Sequence, residues 1–306
     1  MTARRGTAVV SALLVAAALA AAGCGLGPGE GVGEVELTVT RDYGAESLSH
    51  REIGDVDESD TVMRVLEGSA EISTRYGGGF VQAIDGLEAE ERFGRSSDWL
   101  YYVNGVEATV GAADYRLHGG EEIWWDYRDW TAAMRAPAVV GSWPQPFLDG
   151  YDGERHPVAV ECMGGGSACG EVREGLEGAG ASVASGSPDG AIRVLVGPWA
   201  RVRKDPAAAQ IEDGPQASGV FADFERRGTG FSLRGLGVDG EPARSFVPGS
   251  GLVAATRRYE APPVWVVTGA TVAGARAAAG LLGDADLRDH YAVAVEGGAE
   301  TPLPVR

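Results

Sequence analysis

Two aromatic segments near the middle of the chain place the strongest constraint on its fold. WLYYV at 99–103 and EEIWWDYRDW at 121–130 are rich in the aromatic and β-branched residues that favour strands. The pair Asn104-Gly105 follows the first segment directly. This pair is typical of a type I′ turn, because both central residues of that turn need a positive φ. We therefore expect a β-hairpin at this point of the chain.

The surrounding residues predict an α+β domain over residues 34–130. VELTVT at 35–40 alternates apolar and polar residues with period two, and FVQAI at 80–84 is a second strand-like segment. The segment TVMRVLEGSA places its apolar residues on one helical face, with Ser59 or Asp60 as the predicted N-cap. Several strands with a single helix indicate one helix packed across a mixed sheet.

A different pattern begins after a Pro-containing linker, which we predict over residues 131–155. Residues 156–306 contain short, nearly continuous apolar runs, as expected of strands buried on both faces. The clearest unit is a strand at 264–267, a helix at about 271–282 and a strand at 290–296, which predicts a β-α-β arrangement with a right-handed crossover. The second half is therefore predicted to be a small α/β domain of unknown type.

The N-terminus has the pattern of an exported protein. Residues 1–23 contain two arginines and then an apolar run that is too short to span a membrane as a helix. The run ends in Ala-Ala-Gly-Cys24, which resembles the cleavage site of bacterial lipoproteins, where the cysteine carries the lipid. Residues 24–33 are Gly-rich and predict a tether. We expect an outward-facing lipoprotein anchored to the cell membrane through Cys24; the alternative is a secreted protein in which this cysteine has no such role.

Cys162 and Cys169 are then the remaining cysteines of a chain in an oxidising compartment, so a disulfide between them is predicted. A redox pair is the alternative, but the spacing lacks the C-x-x-C arrangement that activates a thiol. Two cysteines are too few for a structural zinc site, and the sequence predicts no metal site.

Charge and motif content argue against several function classes. The formal net charge is -18, with 26 Lys and Arg against 44 Asp and Glu, so we expect no nucleic-acid partner. The sequence contains no H-E-x-x-H, G-x-S-x-G or Walker motif, and we predict neither enzymatic activity nor a cofactor. The alternative is a hydrolase whose nucleophile would be Ser167 or Thr268, beside His156 or His290.

The aromatic strands are the strongest candidate for a binding surface. Because side chains alternate between the two faces of a strand, the aromatic residues cannot all point into one core. Exposed aromatic residues with polar neighbours are typical of ligand and partner surfaces. The predicted ligand-binding residues are Trp99, Tyr101, Asn104, Trp124, Trp125, Asp126 and Arg128. The alternative is that these side chains pack on the helix and on the second domain.

Residues 35–130 also resemble the transcobalamin-like C-terminal domain family, which is related to the C-terminal domain of transcobalamin and intrinsic factor. The features that carry this resemblance are the helix TVMRVLE, the strand FVQAIDG, the segment WLYYVNGVEA, Gly111 and the final segment LHGGEEIWWDY. Glu121 stands where the family usually has Asp. The resemblance covers about a third of the chain and implies a β-grasp-like sheet. In the eukaryotic relatives this domain forms one wall of a cobalamin site, but their α-helical barrel is absent here.

The leading function hypothesis combines the anchor, the aromatic strands and the resemblance. It is a lipid-anchored, extracytoplasmic binding protein that captures a cobalamin-like or other large amphipathic solute between its two domains and offers it to a membrane transporter. A cell-envelope protein-interaction module without a small-molecule ligand is the first alternative, and the hydrolase is the second.

Overall fold

A computed structural model describes residues 31–92, 94–283 and 287–306, and they form a mixed α+β structure of many strands and few helices. The strands of these residues belong to four separate sheets. The predicted signal peptide and Cys24 lie outside the described residues. The predicted tether extends too far, because residues 31–33 already belong to the first strand.

The N-terminal half is built around a mixed sheet with the strand order β2-β1-β9-β7-β6, and β8 pairs with β7. These strands are β1 (Gly31–Arg41), β2 (Glu46–Asp57), β6 (Glu90–Arg92), β7 (Arg95–Val103), β8 (Val106–Glu107) and β9 (Glu122–Asp129). β1 is antiparallel to β2 and parallel to β9, whereas β9 is antiparallel to β7. The first and last strands of this half therefore lie side by side in the middle of the sheet.

Helix α1 (Val62–Ser69) buries the face that its apolar spacing predicts: Val62, Met63, Val65 and Leu66. Its N-cap is Thr61, whose Oγ1 accepts a hydrogen bond from the Arg64 N–H at 3.3 Å. The predicted N-caps, Ser59 and Asp60, are therefore wrong by one or two residues. A separate three-stranded sheet follows the helix: β3 (Ile72–Arg75), β4 (Phe80–Ile84) and β5 (Leu87–Glu88).

The C-terminal half contains a six-stranded sheet with the order β10-β11-β16-β15-β17-β18, and a three-stranded sheet β12-β13-β14. The strands are β10 (Val158–Cys162), β11 (Ile192–Pro198), β12 (Ala222–Arg227), β13 (Gly230–Leu236), β14 (Pro242–Ser245), β15 (Gly251–Thr256), β16 (Val264–Gly269), β17 (Ala292–Glu296) and β18 (Ala299–Leu303). The helices of this half and of the segment before it are α2 (Gln145–Leu148), α3 (Ala168–Gly178), α4 (Trp199–Val202), α5 (Pro215–Ser218) and α6 (Val272–Ala279). Short 3₁₀ helices lie at Tyr76–Gly78, Ala208–Asp213 and Gly280–Gly283.

The predicted unit of β16, α6 and β17 contains the expected elements, but its two strands are not neighbours. β15 lies between them and is antiparallel to both. Every residue of β15 is buried, so this strand occupies the middle of the sheet, where its apolar side chains are covered on both faces. The adjacent parallel pairs of this sheet are instead β10 with β11, which α3 connects, and β11 with β16.

The predicted disulfide between Cys162 and Cys169 is present and links the end of β10 to the first turn of α3, with 5.8 Å between the Cα atoms. No helix among the described residues is long and apolar enough to cross a membrane.

One apolar core joins the two halves of the chain. Tyr102 and Trp124 of the N-terminal sheet pack in the same buried cluster as Leu195, Trp199 and Tyr291 of the C-terminal half. The segment between the halves is also packed, because the rings of Trp143 and Phe147 both lie against Trp265, with centroid distances of 5.8 and 4.9 Å.

The Asn104-Gly105 turn is a point where this packing depends on glycine. Asn104 and Gly105 have φ values of 50° and 74°, and a Cβ on Gly105 would lie 2.9 Å from the carbonyl oxygen of Val139. Gly86 provides a matched comparison, because it follows Asp85 in a turn with the same signs of φ and a Cβ there would have no atom within 4 Å.

We expect Gly105→Ala to lower the free energy of unfolding by about 1–3 kcal/mol more than Gly86→Ala does. Both variants carry the backbone strain of a positive φ, and only Gly105→Ala also forces the new methyl group against the Val139 carbonyl. Chemical denaturation of the two variants measures this difference. Equal losses of stability would contradict the close approach at Gly105.

Candidate functional site

The predicted site residues other than Asn104, which lies in the turn after β7, belong to the adjacent, antiparallel strands β7 and β9, and alternation divides them between two faces. Tyr101 pairs with Trp125 in the strand register, and Tyr102 pairs with Trp124. Tyr101 and Trp125 belong with Trp99 to the face that packs against α1, whereas Tyr102 and Trp124 face the C-terminal half. The structure therefore separates the predicted residues into two environments.

The face that carries Trp124 is closed. The side chains of Trp124 and Tyr102 are fully buried, and both rings pack against Tyr291, with centroid distances of 5.4 and 5.7 Å. The Trp124 Nε1–H donates to Thr40 Oγ1 at 2.8 Å. An exposed aromatic surface is not present on this face, because the C-terminal half covers it.

Asp126 is at the centre of the polar contacts on the closed face. Its carboxylate accepts hydrogen bonds from the Thr40 hydroxyl at 2.6 Å, the Tyr43 N–H at 3.0 Å, the Gly44 N–H at 3.1 Å and the Tyr291 hydroxyl at 3.0 Å. Burial raises the pKa of Asp126, while the bonds from Thr40 and Gly44 act in the opposite direction. This carboxylate joins β1, the turn after β1 and the residue before β17, so it is occupied by structural contacts.

Arg128 and Asn104 are also engaged in structural contacts. The buried Arg128 guanidinium donates to the carbonyl oxygens of Ala133 at 2.6 Å and Met134 at 3.3 Å. The buried Asn104 amide donates to the Gly150 carbonyl at 2.9 Å and accepts from the Glu122 N–H at 2.8 Å. We expected Asn104, Asp126 and Arg128 to be exposed polar groups beside a ligand. All three are buried, because later parts of the chain fold over them.

Glu122, at the start of β9, is a buried carboxyl group that the sequence analysis did not single out. Its Oε1 accepts a hydrogen bond from the Ser142 hydroxyl at 3.1 Å. Burial raises the pKa of Glu122 to about 8, and the negative charge of Glu36 adds to this effect, whereas the Arg288 charge opposes it. Glu122 therefore remains protonated in the folded protein at a pH where an exposed glutamate is charged.

The second face contains a small pocket lined with aromatic residues. It has a volume of about 170 Å³ and is bordered by Trp99, Tyr101 and Trp125, by Phe80 of β4 and by residues 107–112. We call it the aromatic pocket. The Tyr101 and Trp125 rings are stacked, with 4.9 Å between centroids and 26° between planes.

Hydrogen bonds fix two of the three predicted aromatic residues of the aromatic pocket. The Trp99 Nε1–H donates to the Leu87 carbonyl at 2.9 Å, and the Tyr101 hydroxyl donates to the Val110 carbonyl at 2.5 Å. The Trp125 Nε1 differs, because it is buried and has no hydrogen-bond partner within the described part of the chain. The pocket is therefore lined by two positioned aromatic rings and by Trp125, a residue whose buried indole donor is unsatisfied.

Parts of the aromatic pocket could not be located from the sequence. Its walls include Phe80 of β4 and Gly79 just before it, and Gly111 and Ala112 from the loop after β8. These residues carry no chemistry that marks them as a wall; the Gly77-Gly78-Gly79 run before β4 was the available signal of an unusual backbone. Glu121 accepts from the Tyr115 hydroxyl and the His118 N–H, both at 2.9 Å.

The residues of the hydrolase alternative are not assembled into a hydrogen-bonded pair within the described ranges. The Thr268 hydroxyl is buried and donates to the Gly197 carbonyl at 2.8 Å, and Ser167 is exposed before α3. The His156 ring stacks on Tyr151 with 4.1 Å between centroids, and the buried Nδ1 of His290 lacks a partner. In the same ranges, no group of three or more His, Cys, Asp or Glu side chains is placed to hold a metal ion.

Comparison with known families and structures adds one match to this half of the chain. Residues 59–129 match the model of a family described as a domain of unknown function, DUF4430. The match contains α1 and the pocket residues Trp99, Tyr101 and Trp125. It lies inside residues 35–130, for which the sequence analysis states the resemblance to the transcobalamin-like C-terminal domain family. No curated protein matches the chain.

Among solved structures, one similar chain is described as a "putative metal binding protein from Ruminococcus gnavus". It is 13% identical over 32% of this chain and 97% of its own length, with a TM-score of 0.25. A similarity at this level carries no argument about the fold or function of the present chain.

We expect Glu122→Gln to remove a pH-dependent loss of stability. The raised pKa means that the folded state keeps its proton when the unfolded chain has lost it, so stability falls as the pH rises from 4.5 towards about 8. The neutral glutamine avoids this loss. Urea denaturation at about pH 5 and about pH 8 measures it as the difference between two unfolding free energies.

Glu67→Gln, on the exposed side of α1, is the control, because it removes a carboxylate from a solvated position. If Glu122→Gln lost as much stability between the two pH values as the unchanged protein, Glu122 would not be the group responsible.

Proposed function

We propose that this protein is a lipid-anchored, extracytoplasmic binding protein and that the aromatic pocket receives a planar group of its ligand. The observation that carries the proposal is the buried Nε1–H of Trp125, which has no partner among the described residues and belongs to a residue that lines a pocket beside Trp99 and Tyr101. The family resemblance and the N-terminal sequence supply the remaining support.

The chemistry of the aromatic pocket favours a particular kind of group. Aromatic rings bind a flat, apolar partner through stacked or edge-on contacts that add to the burial of apolar area. A buried donor without a partner costs about 1–3 kcal/mol, so a ligand atom that accepts from the Trp125 indole would recover this free energy on binding. The expected group is therefore a planar ring with a hydrogen-bond acceptor at its edge.

The volume of the pocket limits the size of this group. A cavity of roughly 150 Å³ accommodates a molecule such as benzene, so a pocket of about 170 Å³ fits a single ring or a small fused ring. A whole corrin macrocycle does not fit. We propose that a large amphipathic solute, of which a cobalamin-like molecule is one, inserts a peripheral ring here and extends outside, from where it is passed to a membrane transporter.

The position of the pocket revises the geometry implied by the transcobalamin-like resemblance. A solute held between the two halves has no room beside Trp124, because Tyr291 occupies that face. We propose that residues 31–129 form a β-grasp-like domain, in support of which β1 and β9 are parallel neighbours and α1 packs on the sheet. Its outer, helix-bearing side would then carry the ligand.

We expect benzimidazole, and cobalamin in the form whose benzimidazole nitrogen is released from cobalt, to quench the intrinsic tryptophan fluorescence saturably, whereas cobinamide, which lacks the benzimidazole group, does not. Trp125→Phe keeps an aromatic ring but removes the N–H, and should weaken binding by about tenfold, the effect of one lost hydrogen bond in a buried site. Trp130→Phe is the control, because Trp130 does not line the pocket. Circular dichroism verifies that both variants are folded.

Two results of this titration would reject the aromatic pocket as a binding site. One is quenching that rises linearly and equally for free tryptophan, and the other is unchanged affinity in Trp125→Phe. Saturable binding of cobinamide equal to that of cobalamin would reject the insertion of a peripheral ring.

Cys24→Ser tests the anchor. We expect this variant to incorporate no labelled fatty acid and to leave the membrane fraction, because Cys24 is the predicted acceptor of the lipid. The control is the double variant Cys162→Ala with Cys169→Ala, which removes the disulfide but keeps Cys24 and should still be labelled. Fatty-acid labelling of Cys24→Ser would contradict the proposed anchor.

A protein-interaction module is the second candidate function, and the surroundings of the aromatic pocket support it. Tyr76 is 87% exposed, Val110 48% and Phe80 37%, and the Tyr76 and Phe80 rings lie 6.3 Å apart. These apolar side chains surround residues of the pocket, and a partner protein could insert an aromatic side chain of its own. A tryptophan- or tyrosine-containing peptide that binds more tightly than benzimidazole would favour this candidate.

A further inference from the structure

A short segment of the C-terminal half, residues 288–291 just before β17, lies against the N-terminal sheet. We call it the contact segment. The Asp289 N–H donates to the Gly141 carbonyl at 3.1 Å. On the other side, a Cβ on Gly44 would lie 1.7 Å from the Asp289 carbonyl oxygen. The contact segment is therefore held between the turn after β1 and the chain that joins the two halves.

Carboxyl groups from both halves meet at the contact segment. Glu36 and Glu122 are register partners on the parallel strands β1 and β9, so their side chains share one face of the sheet. This face also carries Trp124, because side chains two residues apart on a strand point to the same side. Asp289 supplies a third carboxyl group from the contact segment, and its charge acts on Glu122. Three carboxyl groups are thus gathered where the two halves touch.

Arg288 of the contact segment forms an ion pair with one of these three groups. Its Nη1 donates to Glu36 Oε1. The Glu122 Oε1 accepts from the Ser142 hydroxyl, an uncharged donor, at 3.1 Å. The Asp289 Oδ1 is buried and has no hydrogen-bond partner among the residues that the structure describes. Because a buried charge is costly unless it is paired and hydrogen-bonded, ionisation of all three groups works against this contact.

The other titratable groups near the contact segment do not supply the missing positive charge. His50 Nδ1 lies 3.4 Å from Glu36 Oε1, an oxygen that is already paired. The His290 ring is largely buried, and burial lowers its pKa, so it is uncharged at neutral pH. Asp126 adds a further carboxyl group beside Asp289, and Glu52, the register partner of Glu36 on β2, is exposed.

Protonation removes the conflict between the carboxyl groups. Burial raises the pKa of Glu122 to about 8 and also raises the pKa of Asp289, and the charge of Glu36 adds to both effects. Each group therefore keeps its proton to a higher pH in the closed contact than in water. Since the closed contact binds more protons than an open one, raising the pH from 4.5 towards about 8 favours opening.

We propose that the contact segment is a pH-sensitive switch between the two halves, closed while Glu122 and Asp289 carry protons and released from the sheet when both lose them to solvent. Repulsion from Glu36 and the cost of burying unpaired charge drive the release, which exposes Trp124. The C-terminal half itself stays folded, because its middle strand β15 is buried along its whole length. This switch lies on the other face of β9 from the aromatic pocket and does not depend on the function proposed for it.

Hydrogen exchange of the full chain, followed by mass spectrometry, measures this opening. The amides to follow are those of Asp289 and of Val140, which donates to the Tyr291 carbonyl. After correction for the intrinsic exchange rate, we expect their protection to fall by about tenfold or more between about pH 6 and about pH 8. One proton lost on opening changes the opening constant by about tenfold per pH unit. The β15 amides should keep their protection over this range.

Asp289→Asn and Glu122→Gln each remove one ionisable group and keep its shape. Asparagine also tolerates the positive φ of 59° at residue 289. Each variant should reduce the pH dependence of protection in the contact segment, and the double variant should remove it. Glu52→Gln is the matched control, because it takes an exposed carboxyl group from the strand on the other side of Glu36 and should leave the pH dependence unchanged.

Four results would overturn the proposal. The first is equal protection of the contact segment at the two pH values, and the second is an undiminished decrease in the double variant. The third is an equal decrease in β15, because the whole chain would then unfold without a local opening. The fourth is an effect of Glu52→Gln as large as that of Glu122→Gln, which would assign the pH dependence to overall charge. Trp125→Phe should not alter the pH dependence, so the switch and the aromatic pocket can fail separately.

Discussion

The hydrogen bonds to the Asp126 carboxylate lie where the two halves of the chain meet in one core. Four donors from β1, the turn that follows it and Tyr291 converge on two oxygen atoms that are fully removed from water. A buried carboxylate needs such partners, because without them the free energy lost on removing it from water is not recovered. One of the four donors, the Tyr291 hydroxyl, belongs to the C-terminal half, so a polar contact joins the two halves inside an apolar core.

This arrangement decides which aromatic residues can meet a ligand. β9 is covered on one side by the C-terminal half and on the other by α1, the second sheet and the loop after β8. The first cover is continuous, whereas the second leaves the aromatic pocket. Residues that line the pocket and residues that pack between the halves thus alternate along one strand, and the polar side chains that sequence analysis placed with the ligand belong to the packing side.

The sequence predicted local features well, because each has a short-range physical cause. The strands at Trp99 and Trp124 follow from side-chain alternation, and the turn at Asn104-Gly105 follows from the need for a positive φ. The helical face of α1 follows from apolar spacing, and the disulfide follows from the cysteine content. The insertion of β15 between β16 and β17, and the covering of Trp124 by Tyr291, depend on contacts between segments far apart in the chain. No single segment carries that information. The burial of Glu122 escaped prediction for the same reason, since charged residues are usually exposed.

The separation of Trp124 and Trp125 by one peptide bond has a consequence for spectroscopy. Trp124 reports from the contact between the halves, where its indole is hydrogen-bonded to Thr40. Trp125 reports from the wall of the pocket, where its indole is unbonded. The chain has seven tryptophans, so the change in emission on replacing Trp124 isolates the signal of the contact between the halves, and the change on replacing Trp125 isolates the signal of the pocket.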